Sequence, residues 1–176
     1  VASATVAFSV LGADREAEQQ TQRFWGVLRQ AREEAELQGI DVGVFVAGNS
    51  YEFLRFEPRL DAWVAIVDDD LYKPRELPEG LAFRMWLESR EIILKPGAVE
   101  RDDEEENKKW PPQIMVLSSG EIMPFELQVE RDHAEAVWRV VGLVDNDLRV
   151  ERRNELTWQV TAQTKPPEEE GSQQER

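Results

Sequence analysis

Residues 14–38 read DREAEQQTQRFWGVLRQAREEAELQ. Ala17, Thr21, Phe24, Leu28, Ala31 and Ala35 recur at intervals of 4, 3, 4, 3 and 4, so a helical repeat lines them up on one stripe while Glu16, Gln19, Gln20, Gln30, Glu33 and Glu34 fall mostly elsewhere. The spacing predicts an amphipathic helix that lays these six residues on a sheet. Gly39 supplies its stop, and Asp14 after Gly12-Ala13 would cap its start unless the helix continues upstream. Upstream lies Val1-Ala-Ser-Ala-Thr-Val-Ala-Phe-Ser-Val-Leu11, an apolar run without a single charge.

Downstream of Gly39 the pattern turns to β. Val42–Ala47 and Tyr51–Phe56 flank Gly48-Asn49-Ser50 as a hairpin, and Trp63–Val67, Leu81–Leu87 and Ile92–Leu94 follow between loops holding Asp68 to Asp70, Pro74, Pro78, Gly80 and Pro96-Gly97. Ile114–Leu117 and Ile122–Val129 are joined by Ser118-Ser-Gly-Glu121, and in the second run Phe125, Leu127 and Val129 alternate with Glu126, Gln128 and Glu130, giving one wet face. Ala136–Val144 and Leu148–Glu151 flank Asp145-Asn146-Asp147, whose side chains tolerate positive φ. Leu156, Trp158 and Val160 form the last alternation. One long amphipathic helix packed on antiparallel sheets of roughly eight short strands is an α+β fold. The expected divisions are an apolar helical end (1–12), the amphipathic helix (13–39), a β domain (40–163) and a disordered polar tail (164–176).

Composition narrows the function. The 176 residues carry 36 acidic and 21 basic side chains, a net charge of -15, which repels nucleic-acid phosphates and anionic headgroups. The chain has no cysteine, which removes disulfides, zinc thiolates, iron–sulfur clusters and thiol nucleophiles. Neither Asp68-Asp69-Asp70 nor Asp102-Asp103-Glu104-Glu105-Glu106 follows the calcium-loop pattern, so both read as solvated acidic loops, and no cofactor is expected. His133 is the sole histidine; within Glu130–Glu135 it reads as an exposed turn, not half of a catalytic pair. No nucleophile elbow, phosphate loop or metal motif is present, so no catalytic residue is assigned. Of the six tryptophans, Trp63, Trp138 and Trp158 sit in strands and are expected in the core, whereas Trp110-Pro111-Pro112 after the second acidic run is the candidate partner loop.

Leu28-Arg-Gln-Ala-Arg-Glu-Glu-Ala-Glu-Leu-Gln-Gly39, Val42-Gly-Val-Phe-Val with Tyr51-Glu-Phe-Leu, Arg75-Glu-Leu-Pro-Glu-Gly-Leu81 and Leu117-Ser-Ser-Gly-Glu-Ile-Met-Pro-Phe-Glu-Leu127 resemble the GspH family of minor pseudopilins over about residues 1–150. The resemblance implies a pilin-like fold and a structural, non-enzymatic subunit near the tip of the type II secretion pseudopilus. It implies a protein crossing the inner membrane of a Gram-negative bacterium once through a helix that precedes this sequence, its β domain in the periplasm. The implied partners are GspI-, GspJ- and GspK-type tip subunits and the GspG-type major pseudopilin. Val6, Phe8, Val10 and Leu11 would then enter the filament. A minor pilin of a type IV pilus and a soluble periplasmic ligand-binding protein are the rival readings.

Overall fold

A computed structural model describes residues 2–167, with side chains from Arg15 onward. One unbroken helix, α1 (Ala2–Gln38), is 37 residues long, a rod of roughly 55 Å. It passes through Gly12 without a break and so includes the upstream apolar run. It ends in a Schellman turn: Gly39 adopts φ 66°, and the Ile40 amide donates to the Ala35 carbonyl at 3.2 Å, a geometry that favours glycine.

The strands are β1 (Val42–Val46), β2 (Ser50–Glu57), β3 (Ala62–Ala65), β4 (Arg75–Glu76), β5 (Leu81–Leu87), β6 (Arg90–Ile92), β7 (Ile114–Val116), β8 (Phe125–Arg131), β9 (Trp138–Gly142), β10 (Leu148–Asn154) and β11 (Thr157–Gln163). Three of them, β4, β6 and β7, have only two or three residues, and the roughly eight strands expected become eleven without a change of architecture. One antiparallel sheet runs β3-β2-β1-β7 with β4 on β2, and the other runs β11-β10-β9-β8-β5-β6. The predicted β1–β2 hairpin forms with Val46 opposite Tyr51.

The expected strand pair across Ser118–Glu121 is reduced to a single bridge between Val116 and Ile122. β8 starts only at Phe125, past Pro124, whose missing N–H cannot join a ladder. The chain uses this turn to cross from the first sheet to the second.

α1 lies in the angle between the sheets. Phe24 is 1% exposed and touches both: its ring meets Tyr51 edge-on at 5.1 Å, and Phe53 and Phe83 lie at 6.4 Å each. Trp25 donates to the Leu148 carbonyl and Arg32 to that of Asn146, which tie the helix flank to the β9–β10 turn. There Asn146 takes φ 68°, as its place between two aspartates suggested.

The first sheet is buried on both faces. Val44 and Val46 face α1, while Phe45, Ala47 and Leu54 form a second small core with Trp63, Ala65, Val99 and Trp110. Its cover is the long connection 93–113, which contains a short helix, α2 (Glu104–Lys109), started by Asp103 accepting from the Glu106 amide. The second acidic run is thus the first turn of a helix, stabilised by carboxylates at its positive end, where the sequence suggested only a solvated loop.

Candidate functional site

Every residue of the predicted stripe is buried: Ala17, Thr21, Phe24, Leu28, Ala31 and Ala35 all belong to the interior. Thr21, the one polar member, donates its hydroxyl to the Ala17 carbonyl at 2.7 Å, which removes the cost of burying it. Val27 and Trp25 pack beside the stripe; its strict 3-4 spacing had left them out, although a wider apolar face is usual for a helix lying on two sheets. The side chains of Val6, Phe8, Val10 and Leu11 lie outside the described residues. Within those described, no helix is long and apolar enough to cross a membrane.

The 93–113 connection is clamped down. Arg101 donates to Glu52 on β2 at 2.5 Å and to the Trp110 carbonyl at 2.7 Å, and its guanidinium lies 5.1 Å from the Phe45 ring. The Arg101 and Glu52 side chains are 3% and 10% exposed. Burial pushes the Glu52 carboxyl up, against the opposing pull of Arg101. The Gln113 side-chain amide accepts from the Val46 N–H through Oε1 and donates to the Val46 C=O through Nε2, and so mimics one more strand residue at the end of β1.

In the candidate partner loop Trp110 is half-buried on Phe45, ring centres 6.1 Å apart, and donates to Glu106. Pro111 is exposed, while Pro112 is buried so tightly that a Cβ on Gly43 would overlap its ring. Much of the motif that suggested a free surface is therefore the lid of the second core.

The outward face of the six-stranded sheet carries an ionic ladder. Arg139 bridges Glu126 at 2.9 Å and Glu151 at 2.5 Å, and its guanidinium stacks 4.2 Å from Trp158. Trp138 is in the core as expected, but Trp158 lies on this wet face and Trp63 is only partly buried, 5.4 Å from Phe56. Alternation placed Trp158 on a strand without revealing which face is covered.

The remaining candidates have structural roles. Asp69 accepts from the Leu71 amide at the head of a single turn, Asp70–Tyr72, and Asp70 pairs with Lys73. His133 is almost fully exposed at φ 61°, its Nδ1 3.8 Å from Glu130. Among the described residues no group of three acidic or histidine side chains is placed to hold a metal ion. The start of the expected disordered tail is held: Asp147 accepts from the Thr164 amide, the Thr164 hydroxyl and the Lys165 amide. Residues 168–176 lie outside those described.

What remains is a helix wedged between two sheets, wet faces dressed with ion pairs, and no convergent reactive groups among the described residues. No family model matches the chain. Curated relatives do: it is 25% identical over 138 residues to type II secretion system protein H of Pseudomonas aeruginosa, covering 78% of this chain and 76% of the relative. It is 28% identical over 163 residues to the protein of the same name from Vibrio cholerae, covering 85% and 84%. The crystal structure of the minor pseudopilin EpsH from the Vibrio cholerae type II secretion system superposes with a TM-score of 0.64 at 29% identity, over 77% of this chain and 93% of that one. The solution structure of Escherichia coli GspH, at 22% identity and a TM-score of 0.52 over 73% and 82%, shares the fold. Helix, sheets and sequence converge on one likeness: the chain is similar to the minor pseudopilins of the GspH type.

Proposed function

We propose that the chain acts as a non-catalytic joint near the tip of a type II secretion pseudopilus. It links GspI-, GspJ- and GspK-type subunits to the GspG-type shaft while folded proteins are exported. The observation that carries this reading is the continuity of α1: one rod joins an apolar segment, residues 2–11, to a stripe seated between two sheets. Such a helix does two jobs, packing among neighbouring helices at one end and presenting a rigid domain at the other. Pseudopilins are membrane-anchored and face the periplasm; a single-pass inner-membrane anchor running into α1 completes that arrangement.

The chain has no cysteine, so single substitutions give clean cross-linking sites. Val6→Cys and Phe8→Cys, introduced into the full-length protein in secreting cells, should cross-link to the major and tip pseudopilins. Deletion of the gene should leave export substrates in the periplasm. Cross-links confined to subunits of a retractable pilus, with export intact, would remove the proposal.

A further inference from the structure

Where α1 ends, a cleft of about 110 Å³ opens between the helix and the segment following β3. Its walls are short and apolar, formed by Ala31, Ala35, Ile40, Val42 and Ile66, and its rim carries the carboxylates of Glu34, Asp68 and Asp69. One positive charge is present: Arg55 reaches Asp68 at 3.8 Å, in a pair that is 40% and 70% exposed. Among the described residues neither Glu34 nor Asp69 has a cationic partner. Glu34 accepts from the Gln30 amide and neighbours the Tyr72 hydroxyl, and Asp69 accepts from the Leu71 backbone, while Lys73 is engaged with Asp70.

Tyr72 adds an independent indication. The residue is 3% exposed, its ring packs 5.4 Å from Phe53, and it lines the cleft. Its buried hydroxyl makes no hydrogen bond of normal geometry. Glu34 and Asp69 line the same cleft, and burial first, then the neighbouring Glu34 carboxylate and the charges of Asp69 and Glu33, hold the phenol above its ordinary pKa. A protonated phenol there has lone pairs free for a donor, and the surroundings repel any anion.

A divalent metal does not fit, because no three ligands converge and calcium requires six to eight oxygens. A compact cation with several N–H donors on an aliphatic stem meets every feature of the cleft. We propose that the cleft binds a primary alkylammonium group, the stem lying on Ala31, Ala35 and Ile66 and the N–H groups shared among Glu34, Asp69 and the Tyr72 hydroxyl. A lysine side chain of a neighbouring subunit and a free polyamine both present this chemistry. The proposal concerns the ligand of the cleft and stands independently of where the subunit sits in a filament.

The test is an amide NMR titration at pH 7 and constant ionic strength with four probes: the peptide acetyl-Ala-Lys-Ala-amide, its norleucine counterpart, spermidine and calcium chloride. The lysine peptide should give saturable shifts at Gln38, Ile66 and Asp68 to Tyr72, and the norleucine peptide none. Tyr72→Phe, which keeps the ring and hence the fold, and Glu34→Gln should each weaken binding about tenfold, the loss of one hydrogen bond to a charged group. Tighter binding of spermidine assigns the site to a free polyamine, and equal or tighter binding of the peptide assigns it to a protein lysine. Three results overturn the proposal: no saturable shift with either amine, the same shifts with calcium at lower concentration, or unchanged affinity in both variants.

Discussion

Phe24 joins the helix to both sheets, since its ring touches β2 through Tyr51 and Phe53 and β5 through Phe83. Truncation removes contacts on three sides that a rigid wedge cannot close over, so Phe24→Ala should cost about 3–5 kcal/mol, read from urea unfolding. Phe24→Asp should show no cooperative transition, because a carboxylate there has no partner. Asp147 does comparable work with polar atoms in the β9–β10 turn, since it is 1% exposed, accepts three hydrogen bonds from Thr164 and Lys165, and pairs with Arg149 at 2.7 Å. Asp147→Ala should cost roughly 2–3 kcal/mol and expose the Thr164 and Lys165 amides to hydrogen exchange. Burial alone would raise the Asp147 pKa, but the donors of Lys165, Arg149 and Thr164 outweigh it and hold the carboxyl below the ordinary aspartate value. With the folded pKa below the unfolded one, its contribution is complete above the unfolded value and is lost as pH falls through the folded value. Urea midpoints measured from pH 7 downward should therefore fall less steeply in acid for Asp147→Asn than for the parent.

At the scale of elements, the 93–113 connection is the part least expected from the sequence and the one most dependent on a single ion pair. Arg101 and Glu52 are both buried, so removing one leaves the other charged and without a partner. Arg101→Met alone should cost roughly 3–5 kcal/mol, and the double variant with Glu52→Met should recover much of that loss; a double-mutant cycle by urea unfolding measures the difference. If the single variant cost no more than the double, the clamp would contribute nothing. The same connection shows what the sequence could tell. α1 was legible because its six buried residues keep one helical spacing, and β8 because Phe125, Leu127 and Val129 alternate cleanly with polar neighbours. β1 carried an unread signal: Val42–Ala47 is apolar on both alternating faces, a pattern that requires a cover on each side. The cover could not be found by pattern, since α2 is six residues long and mostly acidic and lysine, and what fastens it is a contact between Arg101 and Glu52, 49 positions apart. The alkylammonium cleft was hidden for the same reason, because its acids come from α1 and from the segment after β3, and neither set is distinctive alone.

For the whole molecule, the balance is between a rod that must associate and a surface that resists it. Each subunit carries a net charge of -15, and in about 0.1 M salt like-charged neighbours repel over roughly 10 Å. Association must then come from apolar helix packing and from local cationic partners, since the β domain presents mainly acidic and self-paired faces. Among the described side chains the buried stripe starts at Ala17, and from there it seats α1 on both sheets through Phe24. Removal of residues 1–12 should leave the stability of the domain within about 0.5 kcal/mol of the parent while abolishing association. Sedimentation should find the truncated domain monomeric from low to high salt. The full-length protein in detergent should associate more strongly as salt screens the charge. Association of the truncated domain, or weakening of full-length assembly by salt, would instead place the contacts on charged faces of the β domain and deny α1 its role in the filament.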